Sequence, residues 1–496
     1  MKIIIAGGGT AGWLAALFVS SIKNLDPKNI TIIDSEKSQP IGVGESTTHL
    51  FTNVIKNQFG NFGCDMNKFI STTGATFKYS IKHKDFASKK GYYHGPIDGG
   101  VFTSFANNDL FEYFLRLENG ESLKSISLFG HLLEKNLSPY DKNGSYFGFN
   151  EAMHIDAYKT AAYFKEICLK KGVVHKRETI LNTTVSDTGF IQNLHTNQDS
   201  YSADLYIDCT GFQRLLIGSL NPEWKSYSDI LPANTALNFN LQYTNDLKPY
   251  PYTTAQAMSA GWMWKIPLMT RLGCGYVFNR DFISPEHAKN EVEQHFNMPI
   301  DVRKVIEFEA GRLEKPWIKN CVAVGLSSGF IEPLEATSIH TTVCQLIWLC
   351  NDYINVEMSN NTLEAKSYFY NSRVRTIFDE TKDFIFLHYL GNRQDSEFWR
   401  YMNNEVRSPE YIKQLIEICK QEIPPHSMFS NQFGSPGWPL YSHVLAGLNK
   451  FDMLAGSSDF FIEKTKQSIK EQFYSETENV MNYDSFIKNF RNQSLE

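Results

Sequence analysis

An acid and two hydroxyl side chains lie close together in the stretch that follows a predicted apolar strand at residues 322–324. Glu335 is followed by Thr337 and Ser338, and a helix is predicted over residues 341–350. Free backbone N–H groups and the positive end of the dipole at the start of a helix favour an anion. We therefore predict an anion site at Thr337 and Ser338 with the acid Glu335 beside it. A capped core helix with solvent-facing glutamates is the alternative.

A lysine stands in a second stretch, where apolar and polar residues alternate. Phe77, Tyr79 and Ile81 alternate with Lys78, Ser80 and Lys82. This period predicts a half-buried strand. Taken alone, Lys78 is a solvated strand lysine.

Two tryptophans stand two residues apart in a third stretch. Trp262 and Trp264 would lie on one face of a strand. Large rings placed in this way pack a core or line a cavity. Core packing is the favoured interpretation from these residues alone.

The elements that position such groups begin at the N-terminus. Residues 2–6 form a buried-strand run, Gly7, Gly9 and Gly12 follow with the spacing GxGxxG, and residues 13–22 have a helical pattern. Glycines at this turn let a helix N-terminus approach a pyrophosphate. We predict a dinucleotide-binding turn.

An acid follows this turn at the expected distance. A second strand-like run at 30–33 ends in Asp34, and 34 − 12 gives 22 residues after Gly12. An acid about 20 residues on is expected to bind a ribose hydroxyl; a plain turn residue is the alternative. The Gly-rich loop at 41–49 suits close approach of the backbone to a flat ligand.

Composition limits the function classes. The 496 residues are 42% hydrophobic, carry a formal charge of −6 and include no basic block, which excludes nucleic acid as the main partner. The eight cysteines have neither C-x-x-C nor metal-ligand spacing, which predicts buried reduced thiols, no metal site and a cytoplasmic protein. No apolar run reaches the roughly 18 residues of a membrane helix. The apolar N-terminus fits the dinucleotide turn better than a signal peptide.

These motifs resemble the flavin-dependent halogenases of the tryptophan halogenase family over most of the first 350 residues. The family's WxWxIP signature is matched in full by Trp262, Trp264, Ile266 and Pro267. Its FxxPxxSxG segment is matched in part. Phe330 and Pro333 agree, while Ala336 and Ser338 replace the usual serine and glycine. The replacements change the size and polarity of the expected anion pocket.

The resemblance assigns roles to individual residues. Lys78 and Glu335 correspond to the catalytic pair, and Thr337 and Ser338 to halide contacts. The residues expected to bind FAD are Gly7, Gly9, Thr10, Ala11, Gly12, Asp34, Gly44, Glu45, Gly325 and Ile339.

The resemblance also implies a reaction. Reduced FAD and oxygen form a C4a-hydroperoxide, which oxidises halide to hypohalous acid, and Lys78 delivers the halogen to an electron-rich ring as a hydrogen-bonded acid or a haloamine. Glu335 polarises the halogen species or accepts the ring proton. Only a neutral amine forms a haloamine, and the ordinary pKa of lysine is about 10.4. We therefore expect Lys78 to be desolvated, with Glu335 near enough to couple to it.

The expected fold class is α/β. A Rossmann-like FAD module of the two-domain flavin monooxygenase type would comprise residues 1–60, 150–215 and 305–350. A β-sheet substrate region would comprise 61–149 and 216–304, and residues 351–496 a mainly helical C-terminal part.

The implied partners are a small aromatic substrate, a halide and a separate flavin reductase, because no second nucleotide-binding motif is visible. The Thr337–His340 ending is more similar to members that accept indoles and phenols than to strict free-tryptophan enzymes. Bromide and iodide are expected as halide substrates in addition to chloride. A homo-oligomer is compatible with the sequence. The alternatives are an FAD-dependent aromatic hydroxylase, which usually has an acid after the glycine where this chain reads Gly325-Leu326-Ser327-Ser328, and a non-catalytic flavin-binding module.

Overall fold

The structure of the protein is a computed structural model. It describes residues 1–35, 44–88, 90–97, 128–141, 150–244, 247–354, 360–451 and 477–493, together with Lys464, Gln467, Ser468, Glu471 and Ser475. Gly42 and Val43 of the predicted Gly-rich loop lie outside these residues. Across the described ranges, no helix has the length and apolar character needed to span a membrane.

Twelve α-helices occur in the described residues. In chain order they are α1 Thr10–Val19, α2 His49–Ile55, α3 Met66–Thr73, α4 Leu128–Glu134, α5 Ala157–Lys171, α6 Pro285–Phe296, α7 Thr337–Trp348, α8 Asn360–His388, α9 Glu397–Asn404, α10 Glu410–Cys419, α11 Trp438–Gly447 and α12 Tyr483–Gln493.

The strands of the described residues cluster in two large and several small sheets. They are β1 Ile3–Ala6, β2 Ile30–Asp34, β3 Glu45–Ser46, β4 Thr76–Lys78, β5 Ser80–Lys84, β6 Tyr92–Pro96, β7 Leu137–Asp141, β8 Ala152–Ile155, β9 Val174–Arg177, β10 Ile180–Val185, β11 Ile191–Thr196, β12 Ser200–Tyr201, β13 Leu205–Asp208, β14 Trp224–Ser226, β15 Thr235–Gln242, β16 Tyr252–Ala257, β17 Gly261–Pro267, β18 Arg271–Phe278, β19 Lys304–Glu307, β20 Gly311–Leu313, β21 Trp317–Ile318, β22 Cys321–Ala323, β23 Gly329–Phe330 and β24 Val480–Asn482.

The first large sheet has the order β21-β22-β13-β1-β2-β9 and is parallel except for the β21–β22 pair. Its central strand β1 is an unbroken apolar run with every residue buried, as expected for a parallel strand covered on both faces. Helix α1 leaves this strand at Thr10, three residues earlier than the sequence pattern predicted. The predicted strand–turn–helix unit is confirmed.

The second large sheet has the order β19-β15-β18-β17-β16-β5-β6, and only its β16–β5 pair is parallel. It combines strands from residues 80–96 with strands from residues 235–307. Helix α9 packs on it, where the Trp399 Nε1 atom donates to Met258 O at 2.8 Å. The strand-rich character predicted for residues 215–305 is confirmed.

The expectation of one half-buried strand around Lys78 is wrong. Strand β4 pairs with β8 and strand β5 joins the seven-stranded sheet, so the chain passes from one sheet to another at Tyr79. Both faces of β4 are covered, and Thr76, Phe77 and Lys78 are all buried. The alternation of apolar and polar residues gave a wrong prediction here, because a segment that connects two sheets has no face exposed to solvent.

The C-terminal part is mainly helical, as predicted. Helix α8 spans 29 residues and includes nearly all of the segment in which the apolar spacing was helical. Strand β24 is an exception, since it pairs with β7. The adjoining Tyr483 hydroxyl donates to Phe77 O at 2.5 Å, so the end of the chain packs against the lysine-bearing strand.

Candidate active site

A cavity of about 1120 Å³ lies at the carboxyl ends of the parallel strands. Nine of the ten residues predicted to bind FAD line it: Gly7, Gly9, Thr10, Ala11, Asp34, Gly44, Glu45, Gly325 and Ile339. Its wall also includes the predicted halide contacts and part of both motifs: Thr337, Ser338, Trp264, Ile266, Phe330 and Pro333. The fold therefore brings distant segments of the chain to one concave site.

The turn between β1 and α1 has the backbone that a bound pyrophosphate needs. Gly7 has a φ of +101°, and a Cβ atom there would lie 2.4 Å from the Cys209 carbonyl oxygen. A Cβ atom on Gly12 would lie 1.9 Å from Gly7 O. Gly12 thus lets the helix pack on the turn and does not line the cavity; its contact with a bound flavin stays a prediction.

Asp34 lies in the cavity wall at the end of β2 and has a partner that the sequence interpretation missed. The His175 Nε2 atom lies 2.6 Å from Asp34 Oδ1, and the His175 ring packs edge-on against Trp13. Residue 175 is placed there because β9 pairs in parallel with β2. No local sequence signal connects positions 34 and 175. The contact with His175 holds the Asp34 carboxylate in place at the cavity wall.

A second carboxyl group of the cavity wall, that of Glu45, is a weaker acid than an ordinary glutamate. Burial raises its pKa to about 7, and the nearby charge of Asp156 acts in the same direction. Close to neutral pH the group therefore titrates between its neutral and charged forms beside the predicted dinucleotide site.

Helix α7 begins at Thr337, four residues earlier than predicted, and its first turn faces the cavity. The preceding Ala336 adopts a left-handed conformation with a φ of +59°. The backbone N–H groups of the first helical turn are the donors that favour an anion. The predicted halide contacts and the predicted flavin contacts thus share one cavity.

Lys78 does not line this cavity and is fully buried. Its Nζ atom donates to Thr47 O at 2.8 Å. Burial lowers the pKa of this amine to about 7, although the charge of Glu335 opposes the shift. The expected desolvation and coupling are confirmed, and a large neutral fraction is present near pH 7.

Glu335 lies near Lys78, and its Oε1 atom is held between two histidines. The distances from Oε1 are 3.0 Å to His83 Nε2 and 2.9 Å to His388 Nε2. Burial by itself raises the pKa of the carboxyl, but the two histidines outweigh it and hold the pKa at about 2. The sequence interpretation ascribed the anionic character to the helix start and missed both histidines, which come from β5 and from the end of α8.

The two tryptophans lie on one face of β17 with ring centroids 6.2 Å apart, as predicted, but have different neighbours. Trp264 lines the cavity. Trp262 is buried, and its Nε1 atom donates to Glu332 Oε2 at 2.7 Å. At the end of the strand, Pro267 O accepts a hydrogen bond from Thr76 on β4. The motif therefore lies between the cavity and the strand that bears Lys78.

All eight cysteines are free, as predicted.

Asp208, at the end of β13, accepts hydrogen bonds from Thr210, Leu216 and Ile217. It is therefore a structural residue of the turn that borders the cavity.

Residues 2–471 match the model of the family described as tryptophan halogenase. The chain is 28% identical to the tryptophan 6-halogenase SttH of Streptomyces toxytricini, over 95% of this chain and 94% of that protein. It is 30% identical to the tryptophan 7-halogenase RebH of Lentzea aerocolonigenes, over 84% of this chain and 82% of that protein.

Solved structures have the same fold. The crystal structure of SttH matches with a TM-score of 0.86 at 25% identity, covering 98% of this chain and 99% of that one. Xcc4156, a flavin-dependent halogenase from Xanthomonas campestris, matches with a TM-score of 0.85 at 25% identity, covering 99% and 98%.

Proposed function

The chain belongs to the tryptophan halogenase family of flavin-dependent enzymes, and on that premise we propose that it halogenates small electron-rich rings of the indole and phenol type through Lys78. The observation that carries this proposal is the fully buried Lys78 amine, whose lowered pKa leaves a neutral fraction near pH 7. A solvated strand lysine would stay charged. Its position outside the main cavity but near Glu335 suits a residue that transfers a halogen between two sites.

The main cavity fits FAD. Its volume, the tight Gly7 turn, the start of α1 and the held carboxylate of Asp34 match the needs of a dinucleotide. Reduced FAD would activate molecular oxygen, which is the oxidant that converts halide to hypohalous acid. Gly7, Gly9 and Thr10 would bind the phosphates, and Asp34 the ribose.

We propose that the halide binds at Thr337 and Ser338. The first turn of α7 offers N–H donors at the cavity wall, and the cavity also contains the apolar ring of Trp264. The ring would limit water around the halide. Bromide and iodide are proposed beside chloride because both are easier to oxidise.

Lys78 would hold the halogen and pass it to the ring carbon, while Glu335 would polarise the halogen species or take the proton that the ring loses. The carboxylate remains ionised at neutral pH because its pKa is lowered to about 2. It is therefore available as a base throughout the working range.

We further propose a separate flavin reductase as electron donor, a cytoplasmic setting and the interleaved domain division predicted above. The eight free thiols support the setting. The six-stranded sheet supports the FAD module, because its strands come from residues 3–34, 174–208 and 317–323.

The test is an incubation of the purified chain with FAD, a flavin reductase, NADH and oxygen, with an indole and phenol panel and each halide offered separately. Mass spectrometry identifies the products. We expect halogenated products with the wild type and with the exposed-lysine control Lys84→Ala, and none with Lys78→Ala, which should still bind FAD. Hydroxylated products would favour the monooxygenase alternative, and full turnover without the reductase would contradict the proposed partner.

A further inference from the structure

His83 and His388, which none of the family signatures named above includes, form a cluster with Glu335. Both histidines are fully buried, and the side chain of Glu335 is 9% exposed. Both histidine contacts of this carboxylate use Oε1, and no hydrogen bond or ion pair to Oε2 is seen among the described residues. Oε2 is therefore the oxygen left for chemistry.

The His388 ring is fixed in one orientation. Its Nδ1 atom lies 3.0 Å from the carbonyl oxygen of Phe384, one turn back on α8, and a carbonyl only accepts. Nδ1 therefore carries a proton. In a neutral ring, Nε2 would then present a lone pair to Glu335 Oε1 at 2.9 Å, which is repulsive. A second proton on Nε2 turns this contact into a charge-assisted hydrogen bond.

His83 is the less usual member. Neither of its ring nitrogens has a partner with hydrogen-bond geometry in the part of the chain that the structure describes, although Nε2 lies 3.0 Å from Glu335 Oε1. The ring is stacked on Tyr93 at 4.8 Å and lies 4.6 Å from the His388 ring. A fully buried imidazole without good hydrogen bonds is costly, and such groups mark functional strain. The position of His83 suits a hydrogen bond from Nε2 to Glu335 Oε1 that is completed when Glu335 takes up a proton.

We propose that His83 and His388 are positioning residues of the halogenation step, which hold Oε1 of Glu335 so that Oε2 takes the proton lost by the ring. This inference rests on the proposed function. After the halogen bonds to the ring carbon, the C–H bond breaks and its electron pair returns to the ring. An O–H bond forms at Oε2, and the proton later leaves to solvent.

The first measurement requires no turnover. In uniformly folded protein with ¹⁵N-labelled histidine, both ring nitrogens of His388 should show attached protons, because each faces an oxygen acceptor, and His83 should be neutral. Glu335→Gln should shift both sets of signals. His443→Gln is the matched control, because His443 is buried and its Nδ1 atom bonds the carbonyl of Pro439 in the same way. It should leave both sets in place.

The second measurement uses an indole deuterated at the halogenated carbon. The wild type should show no primary isotope effect, since proton loss is fast when a base is held in place. His83→Leu should slow halogenation by about tenfold to a hundredfold and reveal a primary isotope effect. This loss is smaller than the roughly 10²–10⁴-fold that a positioned base contributes, because the base itself stays in place. His83→Gln keeps a polar contact to Oε1 and should restore most of the rate. Halide-dependent hypohalous acid formation should not change in either variant.

The outcomes separate the two proposals. The inference would be overturned if Glu335→Gln left the histidine signals unchanged. It would also be overturned if neither His83→Leu nor Glu335→Gln showed an isotope effect. Expected histidine signals in a chain that halogenates no ring would overturn the proposed function and leave the pairing intact. The three ligand atoms also lie within 4.8 Å of one another, a spacing open to a metal ion. One equivalent of tightly bound metal in the purified protein would overturn the proton assignment.

Discussion

The Trp262 indole donates a hydrogen bond of 2.7 Å from Nε1 to Oε2 of the buried Glu332 carboxyl. This contact joins the tryptophan motif to the segment that carries Glu335. Tyr389 donates to the same oxygen at 2.6 Å. Burial raises the pKa of Glu332, although the two donors oppose this. The contact therefore fixes strand β17 to the segment that precedes α7.

We expect Trp262→Phe to lower the free energy of unfolding more than Trp264→Phe. Both changes remove similar volume, but only Trp262 donates to a buried acceptor, whereas Trp264 Nε1 has no hydrogen-bond partner in the described residues. Loss of a donor to a buried acceptor costs about 1–3 kcal/mol. Denaturant unfolding measures the difference, and equal losses would show that the hydrogen bond contributes little.

Lys78 should make the stability of the protein depend on pH. Its pKa is lowered to about 7 in the folded state, so above pH 7 the folded protein has released a proton that the unfolded chain still binds up to about pH 10. The free energy of unfolding should therefore rise with pH by about 1.4 kcal/mol per unit in this window. Lys78→Met lacks this contribution. Its stability advantage at pH 7 should shrink towards pH 10, and a constant difference would contradict the assignment.

The halogenation rate should rise with pH across about pH 7. Only a neutral amine can form a haloamine, and the neutral fraction of Lys78 increases through a pKa of about 7. Initial rates at saturating FAD, bromide and indole between pH 6 and 8.5 test this, with flavin reduction kept in excess. A rate that falls over the same range would favour a charged Lys78 that donates a hydrogen bond to hypohalous acid.

Asp34→Ala should weaken FAD binding by roughly tenfold to a hundredfold, because a hydrogen bond to a charged group contributes about 1.5–3 kcal/mol. His175→Gln should have a smaller effect in the same direction, since it loosens the carboxylate without removing it. Flavin fluorescence titration measures both. Asp187→Ala, at an exposed position, is the control, and equal affinity in Asp34→Ala would remove this residue from the site.

Ser338→Gly should raise the ratio of iodinated to chlorinated product. The substitution removes a hydroxymethyl group from the cavity wall beside the first turn of α7 and enlarges the anion pocket. Competition between equal concentrations of iodide and chloride, followed by mass spectrometry, gives the ratio. Ser435→Gly, outside the cavity wall, serves as the control, and an unchanged ratio would place the halide elsewhere.

Much of the cavity wall proposed to bind FAD was predictable from the sequence because its signals are local. The strand before Gly7, the helix after it and the acid at position 34 follow one another at fixed spacings, and backbone geometry alone requires them. The same holds for the tryptophan face of β17, whereas the start of α7 at Thr337 was predicted four residues too late. The roles of Lys78 and Glu335 came only from the family resemblance and stay predictions.

The tertiary structure alone decided the surroundings of Lys78 and Glu335. Residue types around Lys78 predict an exposed face, and its burial arises because the chain passes between two sheets at Tyr79. The partners of Glu335 lie 252 residues upstream, at His83, and 53 residues downstream, at His388, so no spacing rule connects them. Local sequence fixes backbone conformation, whereas pKa values depend on which distant side chains exclude water from a charge or share a proton with it.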